Sequence, residues 1–144
     1  MLETYPKDVK LVFKNYPLEN HKYARNAAAA ALAAEKQGKF WEFHDLLFAN
    51  QAELDDQKIK EISELLGLDW EKLSKDMKNP EIITMVNRDK AEGDRIRMEQ
   101  VPTIFINGRR LKSINMQEFR AVIGYELQKL DKRTTGSGPG KTPR

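Results

Sequence analysis

The chain of 144 residues sets 25 lysines and arginines against 22 aspartates and glutamates. The two signs interleave, which leaves no basic stripe for a nucleic-acid backbone to follow. No apolar run approaches the roughly 18 to 20 residues that span a bilayer, and the absence of cysteine excludes disulfides, thiolate catalysis and zinc-thiolate sites within these residues. The length suits one domain burying roughly 68 to 70% of its unfolded surface. The opening MLETYPKDVK contains no charged-then-apolar leader, which leads to the expectation that the chain is cytosolic or that its start is missing.

In chain order, VKLVFKNYPL over residues 9–18 puts Val9, Leu11, Phe13 and Tyr16 near a period of two and ends at Pro17, which predicts a strand. Helical signals then run to residue 98. Asn20 is a candidate cap for HKYARNAAAAALAAEKQ, with Gly38 as its stop. KFWEFHDLLFANQ follows as a short helix with Phe40, Phe43 and Leu47 on one face. Asp55 caps DQKIKEISELL, Gly67 ends it and Leu68 supplies the apolar contact after the stop; Asp69 caps WEKLSKDMK. Asn79 as cap and Pro80 in the first helical position open NPEIITMVNRDKAEGDRIRM, whose stripe is Ile82, Val86, Gly93 and Ile96. PTIFING and RRLKS read as two strands joined by an Asn-Gly hairpin turn. MQEFRAVIGYELQKL is a closing amphipathic helix with Phe119, Val122, Ile123 and Leu127 inward. TTGSGPGKTPR has nothing to bury and reads as part of a disordered tail.

Few side chains carry chemistry. His21 and His44 are the only histidines, neither has a carboxylate at metal-ligand spacing, and both read as ordinary helix residues. His44 and its neighbour Asp45 are not expected to face each other on a helix. Asp55/Asp56 and Glu81/Asp89 read as caps or a solvated face. Phe40, Trp41, Phe43 and Phe48 read as core, with an apolar peptide groove as the competing reading. Gly93 suggests a close helix contact, and Ala27–Ala34 allow close approach to a sheet or simply favour helix. No phosphate-binding glycine loop or nucleophile elbow is present.

VKLVFKNYPL, AAAAALAAEKQGKFWEFHDLLF, LGLDWEKLSKDM and VPTIFINGRRL, in that order, resemble the DsbA-like thiol-disulfide oxidoreductases over roughly residues 7 to 127. The resemblance implies an α/β, thioredoxin-like fold, incomplete here, with an all-helical insertion. Its parts would be 1–19 and 100–131 as the thioredoxin-like portion, 20–99 as the insertion and 132–144 as the tail. It makes Pro102 the family's cis-proline and gives Val101, Pro102 and Thr103 the role of holding an extended or unfolded polypeptide by strand addition. Read alone, Pro102 is more simply an edge-strand proline, and the whole pattern reverses that preference. The family often has Gly-Thr before this proline, where this chain has Gln100 and Val101.

The resemblance also implies that a strand and a C-x-x-C helix should precede MLETYP. Without a thiolate no disulfide exchange can start, so the chain is expected to be redox-inert, with no catalytic residue, no metal and no cofactor of its own. Two readings follow. In one, the chain is the C-terminal portion of a DsbA-like oxidoreductase that, when complete, exchanges disulfides with protein substrates and a redox partner protein outside the cytoplasm. In the other, it is a non-catalytic module that binds peptides or itself. Unpaired sheet edges would favour a homo-oligomer formed by strand exchange; nucleic acid and membrane insertion are not expected.

Overall fold

In a computed structural model, residues 2–135 are described. They fall into two compact units, one over 13–98 and one over 2–12 with 99–135.

The first unit is helical: α1 (Ala24–Glu35), α2 (Phe40–Ala49), α3 (Asp56–Leu65), α4 (Trp70–Met77) and α5 (Pro80–Arg95), with one 3₁₀ turn at Gln51–Glu53. Residues 27–34 of α1 are all buried, so this helix has no solvated face over two turns. It lies among α2, α3, α4 and α5 and contacts each of them. Alanine at seven of those positions lets four helices close in on one axis. The close approach that the alanines allow is therefore to helices rather than to a sheet. Phe43, Leu47, Ile59, Ile62, Leu73, Ile82 and Val86 complete the core.

Local chemistry explains where most of these helices begin and end. Asp55 accepts from Lys58 N–H at 2.7 Å, Asp69 from Lys72 N–H at 2.9 Å and Asn79 from Glu81 N–H at 2.9 Å, each satisfying a donor with no partner inside the helix. At the end of α3, Gly67 takes φ +67°. There Leu68 N–H reaches Ser63 C=O at 2.9 Å and Gly67 N–H reaches Glu64 C=O at 3.0 Å, the paired bonds that close a helix through a left-handed residue. The end of α5 uses the same two bonds, Met98 to Gly93 and Arg97 to Asp94, but Arg97 holds the left-handed position at φ +53°. The helix thus stops at Arg95, short of the Met98 expected from sequence, and Ile96 is exposed.

Two other expectations are corrected. The helix predicted from Asn20 begins at Ala24, with Tyr23 in the cap position and no side-chain cap. After Pro17 the chain spends its backbone groups in turns, His21 N–H to Leu18 C=O and Ala24 N–H to His21 C=O, so Asn20 lies inside a turn. The strand predicted over residues 9–16 does not form. Its alternation would suit a half-buried strand, but a strand also needs a neighbour for its N–H and C=O groups, and among the described residues none pairs with it. Asn15 N–H instead reaches the Asp89 carboxylate at 3.1 Å.

The second unit contains β1 (Phe105–Ile106), β2 (Arg109–Arg110) and α6 (Met116–Thr135). The strands pair antiparallel, Phe105 with Arg110 and Ile106 with Arg109. Between them Asn107 and Gly108 both have positive φ, +47° and +80°, the geometry of a type I′ hairpin turn. Leu111, Val122 and Ile123 are its buried apolar residues among those described. Asn115 caps α6 by accepting from Glu118 N–H at 2.8 Å. Residues 132–135 continue α6, and the rest of the expected tail, 136–144, lies outside the described residues.

Candidate functional site

Val101, Pro102 and Thr103 are consecutive in the loop that leads from Glu99 into β1. The Val101–Pro102 peptide is cis. Val101 is 43% exposed and Pro102 is exposed, while Thr103 is half-buried. Thr103 Oγ1 donates to Gln100 C=O at 2.6 Å, which closes the loop on itself and occupies the carbonyl just before Val101. The N–H and C=O of Val101 have no hydrogen-bond partner among the described residues. A backbone donor and acceptor left unpaired on one exposed residue are what an extended chain needs in order to add alongside.

The hairpin holds this loop in place. Leu111 N–H bonds to Ile104 C=O at 2.9 Å, extending the register of the two strands toward the loop. Asn107 Nδ2 donates to Glu126 Oε2 at 3.2 Å, and the Arg109 guanidinium lies 4.9 Å from the centre of the Tyr125 ring. These two contacts tie the turn to α6. Beside the loop, Gln100, Arg110, Leu111 and Lys112 line a shallow, open depression. Sequence reasoning did not single out Arg110 or Lys112, although their alternation with the apolar Leu111 in RRLK was visible.

The other titratable candidates lie elsewhere. Among the described residues, no three histidines, aspartates or glutamates converge as a metal site requires. His44 is ringed by aromatic side chains within its own unit: Phe13 at 4.6 Å, Phe48 at 4.8 Å and Trp41 at 5.4 Å between ring centres. Its Nδ1 stands 2.9 Å from Asp45 Oδ1, against the expectation that these neighbours do not meet. Nδ1 is the ring nitrogen nearer the backbone, and a short, solvated aspartate can fold along the helix to reach it. Of the four aromatics read as core, Phe43 is fully buried, whereas Trp41 and Phe48 are exposed.

The family model described as Thioredoxin matches residues 2–124. The chain belongs to the thioredoxin family. Within that family it is DsbA-like, with five helices standing between the segment around Val9 and the hairpin. The crystal structure of a thioredoxin-like oxidoreductase from Silicibacter pomeroyi DSS-3 superposes with a TM-score of 0.68 at 24% identity, covering 83% of this chain and 68% of that one. This likeness shows the thioredoxin fold, mostly helical here and with one two-stranded sheet among the described residues. The thioredoxin-family chain is also similar to proteins named Na⁺/H⁺ antiporters. Identity is 38% over 103 residues with one from Salinispora tropica and 35% over 118 residues with one from Salinispora arenicola, covering 71% and 81% of this chain. It spans only 16% and 18% of the length of those curated relatives. No helix among the described residues is long and apolar enough to cross a membrane.

Proposed function

We propose that these residues form the polypeptide-holding portion of a DsbA-like thiol-disulfide oxidoreductase, working outside the cytoplasm as the family context suggests. Val101 offers its free N–H and C=O to an extended substrate, Pro102 keeps the loop open and Thr103 braces it through Gln100. The observation that carries this reading is the unpaired backbone of the exposed residue Val101 at the entrance to a hairpin in a thioredoxin-family chain. The attacking thiolate has to come from outside these 144 residues, because serine and threonine do not exchange with disulfides. The chain alone is therefore redox-inert.

Titration of the chain with an unfolded, carboxymethylated polypeptide, followed by backbone amide NMR, tests the reading. Shifts concentrated at residues 100–104 are expected, along with dithiothreitol-driven insulin reduction no faster than in buffer. Shifts that spare this loop, or insulin turnover above buffer, would overturn it.

A second reading is favoured by the segment over 9–16, which has no strand partner among the described residues and in which Leu11 is 45% and Val12 63% exposed. Here the same fold is a non-catalytic module that captures an extended strand, including one from a second copy of itself. Self-association without any peptide-dependent shift at 100–104 would select this reading over the first.

A further inference from the structure

The depression beside the Val101 loop has a distinct electrical character. The hairpin segment 100–114 contains Arg109, Arg110 and Lys112 and no acidic residue. Arg109 is turned toward α6, against Tyr125, and Leu111, two residues on, is buried. Successive strand residues point to opposite faces, so Arg110 projects from the face away from α6, and Lys112, in the bend just after β2, lines the same depression as Arg110. Neither is paired with a carboxylate among the described residues. Phe105, the cross-strand partner of Arg110, is exposed on that same face. The pairing of Phe105 with Arg110 and of Ile106 with Arg109 is extended one step by the Leu111 N–H bond to Ile104 C=O, and Thr103 and Lys112 follow at the open end of the hairpin. Two uncompensated cations and an exposed phenyl ring thus flank the residues that precede β1, and no carboxylate lines the depression.

We infer that Arg110 and Lys112 select extended polypeptide segments that carry aspartate or glutamate near the residue paired with Val101. This inference rests on the polypeptide-holding role of that loop and names the class of segment it prefers. A strand laid along Val101 advances about 3.3 Å per residue, so a side chain about two residues from the paired position comes within reach of the long lysine and arginine side chains. An acidic side chain there meets two free cations, whereas a basic one meets repulsion.

The test uses two labelled peptides of equal length and identical apolar pattern, one with aspartate and glutamate where the other has asparagine and glutamine. Anisotropy titrations at low salt are expected to show the acidic peptide binding about fivefold tighter, with the preference lost in roughly 0.5 M sodium chloride. The double variant Arg110→Gln/Lys112→Gln is expected to bind both peptides as the native chain binds the neutral one. Arg110→Glu/Lys112→Glu is expected to reverse the preference toward a lysine-containing peptide. Equal affinity of the native chain for the two peptides overturns the inference and leaves the Val101 reading standing, as does an acidic preference that survives the Gln variant. Anionic vesicles bound through Arg110 and Lys112 without any discrimination between the peptides also overturn it. If neither peptide binds, the loop's role falls and the charge preference falls with it.

Discussion

Tyr16 sets one edge of its ring against Gly93: a Cβ placed on residue 93 would stand 2.6 Å from both Cδ2 and Cε2 of the tyrosine ring. Real carbon atoms do not approach so closely, and the ring cannot easily swing aside, because its hydroxyl donates to Asp94 at 2.7 Å. A glycine-to-alanine change inside a helix ordinarily gains about 1 kcal/mol of propensity, an upper limit for residue 93 in the last turn of α5. Here overpacking is expected to outweigh that gain and destabilise the helical unit by about 1 to 3 kcal/mol in urea unfolding. Combining Gly93→Ala with Tyr16→Ala removes the clash, so the double variant should lose much less than the sum of the two single ones. Additive losses would show that the ring is not what excludes the methyl group.

The same contact gives stability a pH dependence. The Tyr16 hydroxyl, followed by Lys90, holds the Asp94 carboxyl below its ordinary value of 3.8, and Lys14 likewise lowers Glu92. A depressed carboxylate stabilises the fold above its unfolded pKa, and that contribution is lost as pH falls through the lower, folded value. The hydrogen bond to Asp94 raises Tyr16 above 10.0; for this group the contribution is present below 10.0 and lost as pH rises through the folded value. Chemical denaturation from pH 6 down toward pH 2 should show the gap between native chain and Asp94→Asn closing with acid. A gap of constant size would mean that the charge on Asp94 does not contribute.

Phe43 and Phe48 look alike in FWEFHDLLF and behave oppositely in the fold. Phe43 is fully buried, and Phe43→Ala is expected to cost about 3 to 5 kcal/mol. Phe48 is 56% exposed and packs mainly on the His44 ring; Phe48→Ala should cost less than about 1 kcal/mol. Thermal or urea unfolding of the two variants distinguishes them, and similar losses would contradict the packing described above.

What could be read from the sequence follows the range of the physics. Asp55, Asp69, Asn79, Pro80, Gly67 and the Asn107-Gly108 turn act within four residues, and each was legible as local chemistry. Arg97 was not, because left-handed backbone favours glycine and no side-chain signal marks an arginine that adopts it. The failed strand over 9–16 shows the other limit, since alternation specifies a face but not a neighbour. At the loop, proline followed by Asn-Gly marked where Val101, Pro102 and Thr103 would sit. The grouping of Arg110 and Lys112 beside Gln100 depends on hairpin register, and the residue types alone do not give it.

Asp69 is a more demanding test of capping than its sequence suggests. Its carboxylate caps α4, while its backbone is bracketed by one side chain: Gln37 Oε1 accepts from Asp69 N–H at 3.0 Å, and Gln37 Nε2 donates to Asp69 C=O at 3.2 Å. The end of α1 and the start of α4 are thereby fastened at one residue. Asp69→Ala removes only the cap and is expected to cost about 0.5 to 2 kcal/mol, whereas Asp69→Asn keeps an acceptor and should cost little. Gln37→Ala leaves two exposed backbone groups to water and should cost less than Asp69→Ala. The reverse ranking in urea unfolding would make the bracket, rather than the cap, the stronger fastening.

Self-association is the last expected outcome, and it follows from the unpaired segment. Leu11 and Val12 are exposed in a segment outside any helix or strand, and exposed apolar side chains on such a segment offer a surface for another chain. Sedimentation velocity across the micromolar range should therefore show a coefficient that rises with concentration. Leu11→Lys/Val12→Lys places two charges on the stretch and should return the chain to monomer without changing the melting of the helical unit, whose core lies at Phe43, Ile59, Leu73 and Ile82. A native chain that stays monomeric throughout would remove the self-associating reading. A variant that associates as the native chain does would move the contact away from residues 11 and 12.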